Sequence, residues 1–288
     1  MEYFLYIATL VSIYSILTLS LNLVVGETGL LSISQAAFFG IGAYATALLV
    51  LTGGYNFLIA TFLAMLLAGL GALVLGIVFS RLEDDYYALG SFGFNVIVYG
   101  ILLNWQSVTQ GPLGIPGIPR PFIFGVQLSD NLSFFILSFV CAILVYAACR
   151  SISHSSFGRT LHAIREDKIA TRIFGYETLH YVLTVSVISA IFAALAGALF
   201  ASFITFIDPT SFALSESILI LSMVILGGLA SNRGAVLGAA ILVMLPEALR
   251  FAGLPDSLAA EMRQALYGLL LVLLMLYRPQ GLLGIFKL

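Results

Sequence analysis

The sequence predicts an all-α polytopic membrane protein of about nine transmembrane helices, and three observations carry that prediction. Of 288 residues, 61% are hydrophobic and 9% charged, with a mean hydropathy of +1.09, whereas about a quarter of a soluble domain is charged. Apolar runs of about 20 residues, the length that crosses a bilayer, recur along the whole chain. The basic residues also fall unevenly on alternate connections, as the positive-inside rule requires. The chain reads as one transmembrane domain, 1–288, and its net charge of −2 points to no nucleic-acid partner.

Taken in order, the candidate spans are 3–25, 30–51, 57–79, 86–104, 132–149, 181–204, 214–230, 234–251 and 264–278. The first begins after Glu2, where a signal peptide would be positive, and has no small-residue cleavage site before Asn22, so it is expected to be retained. The second contains Gly40 and Gly42 and follows the Gly26–Gly29 break. It is therefore expected to be bent or re-entrant, which allows eight to ten passes. In the third, Ala60, Ala64, Ala68, Ala72 and Gly76 repeat every four residues, and in the sixth Ser186, Ala190, Ala194, Ala198 and Ser202 do the same. Such stripes let helix backbones approach closely where lipid supplies no hydrophobic drive. The stretch from Gln106 to Asn131 contains Pro112, Pro116, Pro119 and Pro121 and reads as a long loop, neither helix nor sheet interior. Residues 206–212 form a tight turn on the same face. Cys141 and Cys149 fall in the fifth run as small hydrophobes, and Glu247 is expected to pair with Arg250 near a helix end.

Placing 150–180 in the cytoplasm puts Arg150, Arg159, Arg165, Lys168 and Arg172 there together with Arg81, Arg233, Arg278 and Lys287. Arg120, Arg250 and Arg263 are left outside, so the amino terminus is expected outside and the carboxy terminus inside. Aromatic residues such as Tyr3, Tyr6, Tyr86, Trp105 and Tyr277 cluster at span ends, as an interfacial belt requires.

Several function classes are excluded on the residues. The two lysines, Lys168 and Lys287, follow Asp167 and Phe286, so no P-loop is present. The histidines, His154, His162 and His180, lie in or beside the 150–180 loop, and none sits beside a serine at membrane depth as an intramembrane protease needs. Their spacing and the absence of nearby thiolates argue against a zinc site. Ionisable residues within spans, which ion-coupled carriers use, are scarce. Glu216 is the plausible one, and it is expected close to a helix end. The polar residues Ser32, Ser34 and Gln35, with Phe38 and Asn95, are candidate path residues because the preceding glycine break is the kind of interruption that lines a cavity.

The stretch FGRTLHAIREDKIATRIFG, 157–175, concentrates charge in an otherwise hydrocarbon chain. It reads either as a solvated loop that sets topology or as a docking surface for a soluble partner. Leu161, Ile164, Ile169 and Ile173 do not form one stripe at 100° per residue, so two short helices meeting near Glu166–Asp167 fit better than one continuous helix. Gly158 and Gly175 bracket this element, and Ala163 and Ala170 keep it slim.

Four stretches, LNLVVGETGLLSISQAAFFGIGAYATALL (21–49), GRTLHAIREDKIATRIFG (158–175), residues 206–250 and YRPQGLLG (277–284), resemble the permease subunits of ABC importers for branched-chain amino acids, in particular the second of the two paired permease types. The resemblance implies a type II importer fold and a heterodimer with a second related permease. It also implies two cytoplasmic ATP-binding subunits that carry ATP and magnesium, and an external substrate-binding protein. No cofactor is implied on this chain, and the chain itself is not expected to be an enzyme. In that scheme Gly158, Arg159, Leu161, Ala163, Ile164, Arg165, Glu166, Ala170 and Gly175 belong to the element that couples to the ATPases. Ser32, Ser34, Gln35, Phe38, Asn95 and Glu216 are expected along the translocation path. The same architecture could serve urea, short amides or other amino acids. A stand-alone secondary carrier or channel is the reading from a different class. Only two residues precede the first span and 105–131 is compact, departures that predict no extra terminal helix and an odd span count.

Overall fold

In the computed structural model the described residues are 2–79, 84–123, 126–128, 130–251, 268–269 and 280–284. Eight of the expected spans are helices: α1 (Glu2–Thr28), α2 (Gln35–Leu51), α3 (Phe57–Phe79), α4 (Asp84–Asn104), α6 (Asn131–His154), α9 (Thr178–Ile204), α10 (Leu214–Gly227) and α11 (Asn232–Phe251). Between them lie three short helices, α5 (Gln106–Thr109), α7 (Ser156–Glu166) and α8 (Lys168–Ile173). By length and composition, α1, α3, α4, α6 and α9 can cross a membrane, and α2, α10 and α11 are shorter apolar helices. The ninth expected span, 264–278, the side chains of Glu247 and Arg250, and Arg81, Arg263, Arg278 and Lys287 lie outside the described residues.

Side-chain contacts give the relative directions of α1, α6 and α9. Glu2 and Arg120 both hydrogen-bond Asn131, and Tyr6 and Phe134 both pack on Phe203. The starts of α1 and α6 and the end of α9 therefore share one face with residues 106–128. On the opposite face, Ser153 near the end of α6 bonds Glu27 at the end of α1. Helices α1 and α6 thus run in one direction and α9 in the other.

The 106–131 stretch is less irregular than its prolines suggest. It holds a turn of 3₁₀ helix at Gly111–Leu113 and three two-residue strands, β1 (Ile115–Pro116), β2 (Phe122–Ile123) and β3 (Val126–Gln127). β2 pairs antiparallel with β3, and β1 pairs with β4 (Phe206–Ile207), Ile115 opposite Ile207. That second pairing joins the two loops that the sequence places on one face. Proline is tolerated because each ladder is two residues long and has free edges.

A pattern repeats with opposite direction. α1, 27 residues, is followed by non-helical residues 29–34 and the short α2, and α9, also 27 residues, is followed by residues 205–213 and the short α10. Each long helix stops on a left-handed residue, Gly29 at φ 75° and Thr205 at φ 61°, the usual way a helix is terminated. α2 packs on α9 with backbones in contact. A Cβ on Gly42 would overlap the main chain of Ala194, and one on Gly197 would overlap that of Phe39. The two small-residue stripes are accordingly inside: Ala60, Ala64, Ala68, Ala190, Ala194 and Ala198 are fully buried, while Leu70 and Val74 on the far side of α3 are exposed.

This packing predicts that Gly42→Ala and Ala194→Leu lower the thermal stability of the detergent-solubilised protein by the about 1–3 kcal/mol typical of overpacking, whereas the exposed Val74→Leu leaves it unchanged. Equal melting temperatures for the three variants would show that α2 and α9 do not depend on close approach.

Candidate functional site

The break between α1 and α2 lies inside the bundle. Gln35 Nε2 donates to Ser20 Oγ, and Ser20 precedes Thr28 by eight residues, about 12 Å at 1.5 Å per residue. The chain therefore turns back alongside α1 before α2 begins. Backbone groups in such a segment have no water to satisfy them, and serines of neighbouring helices bond one of its amides and one at the start of α2. The Ile33 amide donates to Ser91 Oγ of α4 at 2.9 Å, and the Ala36 amide to Ser217 Oγ of α10 at 3.0 Å. Ser189 of α9 donates to the Ser20 carbonyl at 2.7 Å and lies 3.5 Å from Gln35 Oε1, while Ser32 and Ser34 bond each other at 3.0 Å. Ser20, Ser91, Ser189 and Ser217 were not singled out by sequence reasoning, because isolated serines in apolar helices carry no pattern.

The Ala36–Ser217 bond also shows that α2 and α10 start side by side in the bundle interior and run apart, α2 outward and α10 inward. Glu216, in the first turn of α10, accepts from the Tyr14 hydroxyl. Tyr14 is twelve residues from the start of α1, about 18 Å along the helix axis. Glu216 therefore lies close to a helix end, as expected from sequence, but that end is inside the bundle, near the bilayer middle. The reason is that residues 205–213 dip into the bundle before α10 begins: Phe212 packs against Phe39, Tyr44 and Phe200.

Of the six candidate path residues the structure brings together four. Ser32, Ser34, Gln35 and Phe38 line one cavity with Ala72, Tyr87, Ser186 and Ser189, of about 20 Å³, room for about one water and too small for an amino acid. Asn95 and Glu216 are not on it. Asn95 is fully buried, accepts weakly from Ser217 Oγ at 3.5 Å, and its amide nitrogen has no partner among the described residues.

The charged element is two helices, as its periodicity implies. Ser155 caps α7, its hydroxyl accepting from the Gly158 amide at 3.2 Å. Asp167 ends α7 and caps α8, its carboxylate accepting from the Ile169 and Ala170 amides at 2.8 and 2.9 Å. The nine expected coupling residues divide by direction. Gly158, Leu161 and Ile164 are buried and seat α7 on the bundle, and a Cβ on Gly158 would overlap the carbonyls of Ile152 and Ser153. Arg159, Ala163, Glu166 and Gly175 are exposed, and Ala170 and Arg165 are half-buried. Ala163 lies in a shallow cleft with Arg159, Thr160, Tyr176 and Tyr181. On and just after α8, Ile169, Ile173 and Phe174 are 73%, 80% and 82% exposed, apolar side chains within the charged element.

Glu27 ties this element to the broken segment. The carboxylate is 1% exposed and meets His162 Nε2, and it accepts from Ser153 Oγ at 2.6 Å. Arg165 donates to the Gly26 carbonyl, and its aliphatic stem lies where a Cβ on Gly29 would be, 2.9 Å from Cγ. Burial pulls the Arg165 pKa below its usual value, the Glu166 and Glu27 charges oppose this, and the guanidinium stays charged. α7 is thus clamped to the last turn of α1, one residue before the chain leaves the helix. Sequence reasoning missed Glu27; the available signal was an acidic residue beside the Gly26–Gly29 break with no cation near it in sequence.

Removing the carboxylate should loosen the clamp. A hydrogen bond to a charged group contributes about 1.5–3 kcal/mol, so Glu27→Ala should raise amide hydrogen exchange across 156–166 by about ten-fold or more and leave α9 unaffected. Unchanged exchange in α7 would show that other contacts hold it.

The family model for the permease component of branched-chain amino acid transport systems matches residues 3–275. The chain is 37% identical to the high-affinity branched-chain amino acid transport system permease protein LivM of Escherichia coli (strain K12), an alignment covering 96% of this chain and 69% of that protein. It is 26% identical to the probable LivM of Methanocaldococcus jannaschii, with 94% and 90% covered, and 24% identical to LivH of Salmonella typhimurium, with 96% and 92% covered. No solved structure matches. With a helical bundle of apolar spans, a non-helical break between its first helix and an α2 that runs unbroken through Gly40 and Gly42, and a charged helix pair on one face, the chain belongs to the family of branched-chain amino acid transport system permease components.

Proposed function

We propose that this chain is the second permease of an ATP-driven importer for branched-chain amino acids, with the type II architecture and about nine spans. It works beside a related permease, with two ATP-binding subunits on the α7–α8 side and a substrate-binding protein on the opposite face. ATP and magnesium belong to the ATP-binding subunits, and the chain performs no chemistry of its own. The amino terminus is external and the carboxy terminus cytoplasmic, which keeps the larger set of basic residues inside. The multi-pass location is the prokaryotic inner membrane.

The observation that carries this reading is the α7–α8 knob. Leu161 and Ile164 hold it to the bundle, Ala163, Ile169, Ile173 and Phe174 face outward, and Glu27 connects it to the start of the broken segment. An exposed apolar patch in a charged element suits a groove in a soluble partner. Movement of the knob would pass through Gly26–Gly29 to Ser32, Ser34 and Gln35 at the mouth of α2. Opening the small cavity there is the step a substrate would need. One observation favours an ion-coupled carrier instead: Glu216 near the bilayer middle, bonded to Tyr14.

Both readings meet in one experiment. Ala163→Trp would fill the cleft beside Tyr176 and Tyr181, and overpacking of this kind should reduce substrate-stimulated ATP hydrolysis by the assembled transporter about ten-fold or more, as should Ala170→Trp. Lys168→Gln should do little, because exposed charges contribute about 0–1 kcal/mol. Gly175→Leu is a poor probe, since Gly175 has φ 90° and any side chain there strains the backbone. Full stimulation in both tryptophan variants would contradict docking at the knob, and uptake by the chain without any ATPase would establish the carrier.

A further inference from the structure

α6 and α11 both pack on α1 but leave a furrow between them. Its floor is Val11, Ser12, Ser15 and Leu19 of α1; Phe139, Ala142, Ile143 and Tyr146 of α6 form one wall, and Val236 and Arg233 of α11 the other. The space is about 340 Å³, within the range of small-molecule sites and many times that of the α2 cavity. Its floor is chemically apolar, because Ser12 and Ser15 give their hydroxyl hydrogens to the carbonyls of Ala8 and Val11 at 2.9 and 2.6 Å. Phe139 and Ile143 are about half exposed, so the furrow opens sideways to the bilayer.

Its two ends differ. Asn232 Oδ1 is 3.4 Å from Asn22 Nδ2, which sets the neighbouring Arg233 level with residue 22 on the α7–α8 side. Arg233 is exposed, and the ion pairs among the described residues, His162–Glu27 and His180–Glu177, do not include it. The floor from Val11 to Leu19 is about 12 Å long, and the distance from Val11 to the level of Arg233 is about 16 Å along α1, close to one leaflet of a hydrocarbon core about 30 Å thick. An apolar channel one leaflet long with a cation at its interfacial end is complementary to one kind of molecule.

We propose that this furrow is a specific site for an anionic phospholipid of the leaflet on the α7–α8 side, with an acyl chain along α1 between α6 and α11 and the phosphate at Arg233. The lipid would brace α11, and with it the Asn22–Asn232 contact. The proposal does not depend on the substrate of the transporter.

The test is lipid titration of the delipidated full-length protein in detergent, followed by native mass spectrometry. Phosphatidylglycerol should bind about five-fold more tightly than phosphatidylcholine of the same chain length, the ratio expected from one basic residue near a membrane surface. Arg233→Gln should abolish the preference, Arg233→Lys should keep most of it, and Ala142→Phe, which fills the furrow, should weaken both lipids. Equal binding of the two lipids, or a preference that survives Arg233→Gln, overturns the proposal. So does a disulfide between Val236→Cys and a cysteine placed in 264–278, because the chain itself would then cover the furrow.

Discussion

The structure depends on one constraint: six non-helical residues, 29–34, lie within a membrane-embedded bundle, where an unsatisfied backbone amide costs several kcal/mol. Of their amides, Ile33 is held by Ser91 and Leu30 by Thr28; just past them, at the start of α2, Ser217 holds the Ala36 amide and Ser20 and Ser189 lie at Gln35. Those partners sit on α4, α10, α1 and α9, so the break and the first turn of α2 together draw four helices toward them. The close approach of α2 to α9, possible because Gly42, Ala194 and Gly197 carry little or no side chain, brings Ser189 within reach. Helix packing and polar satisfaction here are the same requirement, met by small residues on one side and hydroxyls on the other.

The break also separates two mechanical regimes. Toward the membrane interior it leads directly to the residues around the small cavity; toward the charged face it begins one residue after α1 ends, where Glu27, His162 and Arg165 fasten α7. A displacement of α7 would reach this non-helical segment first. The opposed repeat, α9 followed by residues 205–213 and α10, ends beside the first, since Ala36 donates to Ser217. Two half-length helices with adjoining starts can be shifted relative to each other at the cost of a few polar bonds, which is less than separating two full-length helices requires.

Much of this was legible in the sequence. The spans, the buried stripes and the helix pair meeting at Asp167 follow from length, four-residue spacing and a broken amphipathic period. Ser32, Ser34, Gln35 and Phe38 were readable as a group because they follow a glycine break. Glu27 was not, because its partners are contributed from 126 and more residues away in sequence, and a lone carboxylate at a span end looks like an ordinary boundary residue. The depth of Glu216 was hidden for a related reason: hydropathy measures how apolar a run is, not whether the preceding loop folds back into the bundle. The pairing of β1 with β4 was equally invisible, since two-residue strands carry no periodicity.

If the knob couples to the path as proposed, α7 and the start of the broken segment move as one body relative to the outer face. Spin labels on the exposed positions Glu166 and Leu31, with Tyr55 on the opposite face as reference, allow pulsed-resonance distances in the assembled transporter with and without bound nucleotide. The Glu166–Leu31 distance should stay constant while Leu31–Tyr55 changes. A Glu166–Leu31 distance that shifts with nucleotide while Leu31–Tyr55 holds would contradict the account.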